Sequence, residues 1–298
     1  QTAMPELPEV ETVARGLREA LPGRRILEVR LGKTDFIENP AALETHLLGA
    51  RVKAVDRHGK FLRVDLESTG HDAKPLALLI HLGMTGQIVV GSPDAPIAPH
   101  THVFFALDDG KEFRYTDIRR FGVMRLLADG AKEKAFAALG IDALVATQEQ
   151  FAAALRDRRA RIKAVLLDQG ILAGLGNIYV DESLWRARIH PMRLAATLKR
   201  DEVRRLYRAV RDVLNEAIRL RGSSVSDYVD SEGRRGEFQA RHRVYQREGK
   251  KCFRCRAKIR RAIVAGRSSH FCPRCQQAPR KAARRKRDSA RQVRRGGL

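Results

Sequence analysis

Four cysteines near the C-terminus place the strongest constraint on how this chain can fold. They form two C-x2-C pairs, Cys252 with Cys255 and Cys272 with Cys275, and sixteen residues separate the pairs. Two thiolate pairs at this separation fill the four corners of one tetrahedral Zn²⁺ site and leave no open position for catalysis. Two disulfides are the alternative, which a cytoplasmic chain disfavours. We therefore predict one structural zinc ion in a module too small to form a core of its own.

The sequence between the two cysteine pairs predicts a β-hairpin. It forms two short strand-like runs around a turn at Gly266, and three of its basic residues, Arg260, Arg261 and Arg267, would then point outward. His270 is a potential competing ligand, but with four thiolates available we expect it to pack or to lie at the surface.

The charge of the chain favours a polyanionic partner. Lys and Arg number 58 against 35 Asp and Glu, which gives a formal net charge of +23. Such an excess favours nucleic acid, because cations near phosphates release condensed counterions. A membrane surface or a solvated basic face is the alternative. No apolar run approaches 18 residues, and the N-terminus lacks a signal-peptide pattern, so we expect a soluble, cytoplasmic protein.

The apolar periodicity changes along the chain and divides it into two halves. From about 25 to 130 the spacing is two, with turns at Gly59, Gly70, Asp109-Gly110 and Asp129-Gly130, which predicts hairpins in a sandwich or barrel. An amphipathic helix, PEVETVARGLREAL, precedes this region. From about 147 to 221 the spacing is helical, in EQFAAALRDRRARIKAVLLDQ, NIYVDESLWRARI and KRDEVRRLYRAVRDVLNEAIRLRG.

These patterns predict four regions. We expect a β-sandwich domain over 5–135, a helical domain over 147–240, the zinc finger over 241–276 and a tail over 277–298. The tail is rich in Lys and Arg and almost devoid of apolar residues, so it should be disordered. It either adds nonspecific attraction to DNA or is simply a solvated terminus.

A glycine-rich connection within the helical half is a candidate anion site. In DQGILAGLGNIYVDE, residues Gly170 to Gly176 join two helices, and Asn177 begins the second. Glycine amides and a helix N-terminus together suit a phosphate. The alternative is an ordinary corner between helices.

Six ordered motifs resemble one family. PELPEVET, HLGMTG, TDIRRFG, GLGNIYVDE, DYVDSEGRRGEFQ and the four-cysteine finger are similar, in this order, to the bacterial formamidopyrimidine-DNA glycosylases, from Pro5 to about Gln276. The resemblance implies an α+β multi-domain fold: an N-terminal β-sandwich with a helix, a helix-two-turn-helix domain and a zinc-finger hairpin. It also implies a bifunctional base-excision-repair enzyme that removes 8-oxoguanine and formamidopyrimidines and then cleaves the strand by β,δ-elimination.

The resemblance assigns the chemistry to the start of the chain. Pro5 matches the nucleophile, Glu6 the adjacent acid/base, and Glu9 would support the site or cap the helix. A secondary amine suits this role because its adduct with a sugar aldehyde persists as an iminium cation. Without the resemblance, the proline would be an ordinary helix-start residue. Since an amide nitrogen cannot attack, we expect activity only from a chain that begins at Pro5, without Gln1 to Met4.

Further site residues follow from the resemblance. Lys60 matches a lysine that assists proton transfer, whereas Met84, Arg119 and Phe121 match residues that enter the duplex when the base is everted. Alone, Met84 or Phe121 would be interpreted as sandwich core and Lys60 as a solvated strand residue. The chain has Ile118 where the commonest family pattern has proline, so the loop carrying Arg119 is expected to be less rigid.

The remaining matches concern DNA and the lesion. His100, Arg159, Asn177 and Arg267 match DNA contacts, and Arg267 also matches the arginine of the later elimination step. Lys163, four residues from Arg159, is expected to share its helical face and assist; both are otherwise solvated helix charges. Residues 223–241 resemble a mobile loop that closes over everted 8-oxoguanine.

The expected partner is double-stranded DNA that contains an oxidised base, bound by a monomer near the bacterial nucleoid. Two alternatives stay open: a sister enzyme for oxidised pyrimidines, and a non-catalytic zinc-stabilised DNA-binding protein. PELPEV together with the three duplex-entering residues favours the purine enzyme over the first.

Overall fold

The computed structural model describes residues 4–69, 74–127, 136–225 and 228–278. The predicted turns at Gly70 and Asp129-Gly130, and all of the predicted tail beyond residue 278, lie outside these residues. The helices are α1 Leu7–Ala20, α2 Pro40–Leu47, α3 Gln148–Leu155, α4 Ile162–Leu167, α5 Asn177–Ala187 and α6 Arg200–Arg219. The strands are β1 Ile26–Leu31, β2 Arg51–His58, β3 Phe61–Glu67, β4 Pro75–His81, β5 Gly86–Gly91, β6 Thr101–Leu107, β7 Glu112–Asp117, β8 Val123–Leu127, β9 Ile141–Asp142, β10 Leu172–Ala173, β11 Arg260–Val264 and β12 Arg267–Phe271. Among the described helices, none has the length and apolar character needed to span a bilayer.

The N-terminal half is a β-sandwich, which confirms the predicted fold. Two antiparallel four-stranded sheets, with strand orders β2-β3-β4-β8 and β1-β6-β7-β5, face each other. Buried side chains alternate with more exposed ones along β3, where Leu62, Val64 and Leu66 point inward. They share one core with Phe105 and Phe113 of the opposite sheet.

Helix α1 lies against this sandwich and begins the part of the chain that carries the site. Its start is held by the Glu9 carboxylate, which accepts a hydrogen bond from the backbone N–H of Glu6 (2.9 Å). Pro8 in the first turn suits this geometry because it needs no backbone donor there. The apolar face of α1 is buried in the sandwich core through Val10, Val13, Ala14 and Leu17.

The helical half differs from the prediction in one place. The run EQFAAALRDRRARIKAVLLDQ is not one helix but two, α3 and α4, separated by residues 156–161. Asp157 is left-handed (φ 58°), and the backbone that follows pairs with residues 193–196 instead. The Ile162 N–H donates to the Arg193 carbonyl (2.7 Å), and the Ala195 N–H donates to the Ala160 carbonyl (2.9 Å). The interruption places Arg159 before α4, so the predicted helical face shared with Lys163 is wrong.

The zinc-finger segment docks onto α5. That helix begins at Asn177 after the glycine-rich connection, as predicted. Three consecutive backbone N–H groups, those of Arg243, Val244 and Tyr245, donate to the buried Glu182 carboxylate at 2.9–3.0 Å. Because this carboxylate accepts from three donors, the segment that leads into the finger is held in a fixed position relative to α5.

Candidate active site

The Glu6 carboxylate occupies the N-terminus of α5. Pro5 is buried, and Glu6 is only 4% exposed. The Glu6 carboxylate accepts hydrogen bonds from the backbone N–H of Ile178 (2.9 Å) and of Tyr179 (3.4 Å). The N-terminus of α5 therefore binds an anion, but this anion is the Glu6 carboxylate of the protein itself and not a phosphate. Burial raises the pKa of Glu6, although the Lys60 charge and the α5 amides oppose the shift.

A cavity of about 500 Å³ opens beside Glu6. It brings together Lys60 from the β2–β3 turn, Asn177 from α5 and Arg267 from β12, which are far apart in sequence. Lys60 is 7% exposed, and burial lowers the pKa of its ammonium against the opposing effect of Glu6. The other lining residues are Met4, Glu6, Met84, Leu167, Gln169, Leu175, Gly176, Tyr245, Gly266 and Ser268.

Glu9 connects three segments behind this cavity. Its carboxylate accepts from the Tyr179 hydroxyl, from the Ser223 N–H (2.7 Å) and from the Glu6 N–H (2.9 Å). Burial, and secondarily the Glu6 charge, raise the pKa of Glu9 to about 7. Glu9 thus caps α1, as expected, and also holds the start of the 223–241 segment.

The three residues predicted to enter DNA lie on two loops that are bonded together. Phe121 is 55% exposed, so the alternative that it belongs to the sandwich core is wrong. The Arg119 guanidinium lies 4.6 Å from the centre of the Phe121 ring, and Met84 is half-buried at the cavity. The Arg119 N–H donates to the Thr85 hydroxyl (3.0 Å), which itself donates to the Asp117 carboxylate. These bonds hold the loop although it lacks a proline.

Lys163 is not at the surface. Its side chain is fully buried, and its ammonium donates to the Asp181 carboxylate (2.7 Å) and to the Ser268 carbonyl (2.8 Å). Both partners of the ammonium belong to the protein itself, and the predicted assistance in DNA binding stays a prediction. Asp181 also accepts from the His270 N–H (2.8 Å), so the ion pair fixes β12, the strand that begins at Arg267.

The other predicted DNA contacts are exposed and lie outside the cavity. His100 has a left-handed backbone (φ 65°), and Arg159 lies on the segment between α3 and α4. Two residues near the site were not among the predicted ones: Tyr245, which lines the cavity, and His81, which is close enough to Lys60 to sense its charge. Burial raises the pKa of Tyr245 to about 12, and burial with the Lys60 charge lowers the pKa of His81 to about 4. The position of His81 within HLGMTG was the available signal.

The segment 223–241, which was predicted to be a mobile loop, forms hydrogen bonds with α1 and with β5 in this structure. The Ser224 hydroxyl joins its ends, because it accepts from the Gly236 N–H (2.8 Å) and donates to the Tyr228 carbonyl (2.6 Å). Tyr228 is buried in the sandwich core. The Val90 N–H of β5 donates to the Ser231 carbonyl (3.1 Å), so the segment also contacts an edge of the sandwich. Residues 226 and 227 lie outside the described residues.

The four cysteines fit a zinc ion. Their sulfur atoms all lie within 4.8 Å of one another, and none forms a disulfide. A Zn–S bond of about 2.3 Å requires sulfurs about 3.8 Å apart in a tetrahedron. The Trp185 indole N–H donates to Cys252 Sγ (3.5 Å), and the Cys275 N–H donates to Cys272 Sγ (3.4 Å), as thiolate ligands require. His270 packs against Asp181 and is not a ligand. The predicted zinc finger is confirmed.

The fold and the site together define a protein of the helix-two-turn-helix class: a sandwich, a helical pair joined by a glycine-rich connection, and a four-cysteine finger. Residues 4–124 match the formamidopyrimidine-DNA glycosylase N-terminal domain, 139–229 its H2TH domain, and 249–278 the zinc finger found in FPG and IleRS. The chain is 44% identical over 276 residues to a formamidopyrimidine-DNA glycosylase of Solibacter usitatus and 45% identical over 280 residues to one of Pelotomaculum thermopropionicum. These matches cover 92% of this chain and 100% and 99% of the relatives.

Among solved structures, the chain resembles Lactococcus lactis Fpg in complex with DNA that contains an abasic site. The TM-score is 0.82 at 34% identity, with 92% of this chain and 100% of that chain covered. Wild-type Lactococcus lactis Fpg in complex with DNA that contains N7-benzyl-Fapy-dG gives a TM-score of 0.82 at 33% identity, with the same coverage. This chain belongs to the formamidopyrimidine-DNA glycosylase family, the enzymes that act on damaged DNA in repair.

Proposed function

We propose that the protein is a bifunctional DNA glycosylase and AP lyase that removes oxidised purines, namely 8-oxoguanine and formamidopyrimidines, from double-stranded DNA. One observation carries the proposal: Met4 and Glu6, the two neighbours of Pro5 in the chain, line a cavity that also gathers Lys60, Asn177 and Arg267. The site combines a nucleophile position, two proton-transfer groups of opposite charge and cationic groups for phosphate.

The chemistry follows from a free Pro5 amine. Its nitrogen attacks the deoxyribose C1′, the bond from C1′ to the base breaks, and the base leaves with the proton that the Pro5 nitrogen gives up. Glu6 protonates the ring oxygen as the sugar opens, which leaves an iminium at C1′. That cation accepts electrons when the C2′ proton is lost, so the 3′ phosphate leaves first and the 5′ phosphate follows after a second proton loss.

The other assignments remain proposals that the geometry supports. Lys60 assists proton transfer at the sugar, and Arg267 acts in the later elimination. Eversion of the base costs a few kcal/mol and leaves a gap in the stack. This gap is filled by the side chains of Met84, Arg119 and Phe121. The exposed ring of Phe121 and its contact with Arg119 support this role. Zinc holds the hairpin that carries Arg267, and the phosphates are contacted by His100, Arg159 and Asn177.

Borohydride trapping tests the mechanism. A chain that begins at Pro5 is incubated with a duplex carrying one 8-oxoguanine, reduced, digested and analysed by mass spectrometry. The sugar should be attached to the Pro5 nitrogen. A chain that retains Met4 is the matched control, because its Pro5 nitrogen is an amide, and it should give no adduct. An adduct on a lysine, or none at all, would refute the proposal.

Substrate preference is tested separately by single-turnover rates on 8-oxoguanine and thymine glycol duplexes. Faster excision of 8-oxoguanine is expected, and the reverse order would favour the oxidised-pyrimidine enzyme. We also propose the domain boundaries 5–135, 147–240 and 241–276, a basic tail over 277–298, and a monomer that acts at the bacterial nucleoid.

A further inference from the structure

A second cavity lies beyond the C-terminal end of α5, and arginines surround it. It measures about 490 Å³. We call it the arginine cleft and define it by Arg188, Arg193, Arg254, Arg274 and His190. Glu202, Cys255, Cys275 and Gln277 complete its lining.

The arginine cleft is separate from the candidate active site. The two cavities share no lining residue among the described parts of the chain. Asn177 begins α5 at the active site, whereas Arg188 follows its last residue at the cleft, and the helix between them is about 16 Å long. The proposed reaction leaves the cleft without a role.

Two of the four guanidinium groups are held in place by the protein. Arg254 lies 4.2 Å from the Trp185 ring centre and donates to the Trp185 carbonyl (3.2 Å). Arg193 is paired with Glu202 (3.2 Å) and also donates to the Thr197 carbonyl (2.9 Å). These contacts fix the side chains before any ligand arrives, which lowers the entropy lost on binding.

His190 adds a neutral donor to the cleft. It is 5% exposed, and its Nδ1 accepts from the Met192 N–H (3.2 Å), so the ring proton is on Nε2. Burial lowers the pKa of this imidazole, which keeps the ring neutral.

Charge compensation within the protein does not account for all four arginines. Glu202 is the only carboxylate among the described lining residues, and it is already paired with Arg193. A zinc tetrathiolate that includes Cys255 and Cys275 would carry a formal charge of −2. Within the described part of the chain, the exposed side chains of Arg188 and Arg274 have neither an ion pair nor a hydrogen bond. Two guanidinium groups therefore face the cleft with their donors available.

We propose that the arginine cleft is a phosphate-binding site distinct from the active site. Guanidinium forks that approach from several elements suit a tetrahedral oxyanion, which presents oxygens in several directions. The phosphate belongs either to the backbone of a second DNA segment or to a small phosphate compound, and both present the same oxyanion to the cleft.

Calorimetric titration with inorganic phosphate at constant ionic strength tests the proposal on the zinc-loaded full chain. The test variant is Arg188→Ser with Arg274→Ser, and each single substitution is also measured. Arg208→Ser, which removes another exposed arginine, on α6, is the matched control. The double variant should bind phosphate about tenfold more weakly or worse, whereas the control keeps the wild-type affinity. Equal affinity in all variants would overturn the proposal, and zinc content with thermal melting verifies each fold.

A second arm distinguishes the two sources of phosphate. The active site is first filled with a short duplex that carries a stable abasic-site analogue, and an undamaged duplex is then added. Loss of this second binding in the double variant identifies the DNA backbone as the ligand. Phosphate binding without a second duplex identifies a small phosphate compound. Trapping at Pro5 is independent of both results, so failure of the proposed function is recognised separately.

Discussion

Replacement of Lys163 by Met separates its structural role from the DNA contact that its sequence position indicated. The side chains of Lys163 and Asp181 are 0% and 1% exposed, and the ammonium also bonds the Ser268 carbonyl. Loss of one partner from a buried pair costs about 3–5 kcal/mol. Asp181 retains the His270 N–H (2.8 Å), so we expect a cost near the lower end, about 3 kcal/mol.

Guanidinium denaturation followed by tryptophan fluorescence measures this cost. Trp185 is the only tryptophan of the chain and lies where α5 meets the finger, with its indole N–H against Cys252. A second variant, Lys163→Met with Asp181→Asn, removes both charges but keeps an acceptor for His270. It should lose only about 1 kcal/mol, the value of the missing bond to Ser268.

The control for DNA binding is Arg159→Ala. Because Arg159 is exposed, its loss should leave stability unchanged and flatten the slope of log K against log salt by roughly 0.9, the value for one phosphate contact. The Lys163→Met slope should match the wild type once the protein is folded. Unchanged stability together with a flatter slope would refute the structural role of Lys163 and restore it as a DNA contact.

Three further predictions concern other parts of the molecule. The pKa of Glu9 is about 7 in the folded chain, against an ordinary value of 4.5. Because the folded chain favours the neutral acid, Glu9 contributes stability that is fully present below pH 4.5 and is lost as the pH rises through 7. The difference in unfolding free energy between wild type and Glu9→Gln should therefore change by roughly 3 kcal/mol over that range, and a pH-independent difference would contradict the burial argument. A Cβ on Gly16 would lie 1.8 Å from Ser231 Oγ, so Gly16→Ala should accelerate amide exchange at Val90, and Ser231→Gly should reverse the effect. Chelation of zinc should unfold the finger and abolish duplex binding while the β circular-dichroism signal persists, and simultaneous loss of that signal would move the proposed domain boundary.

The sequence predicted those features that depend on local pattern. Cysteine spacing predicted the metal site, alternation predicted the sandwich, and the glycine run predicted the start of α5 at Asn177. The sequence did not predict features that depend on contacts with segments far away in the chain. The chain leaves the helix after α3 because residues 158–162 pair with residues 193–196, and no helical periodicity encodes that pairing. Lys163 is buried by Asp181 and by strand β12, which begins more than a hundred residues later.

The placement of Glu6 at the start of α5 has a consequence for the proposed reaction. Burial favours the neutral acid, whereas the Ile178 and Tyr179 amides and the Lys60 ammonium favour the carboxylate, and the net effect raises the pKa of Glu6. A neutral Glu6 can protonate the sugar oxygen as the ring opens. The iminium that then forms at Pro5 adds a cation beside the new carboxylate, and an opposite charge at such short range favours the ionised form. The helix N-terminus therefore stabilises the Glu6 carboxylate that the ring opening produces. This gives a chemical reason for the α5 amides to bind a carboxylate of the protein and not a DNA phosphate.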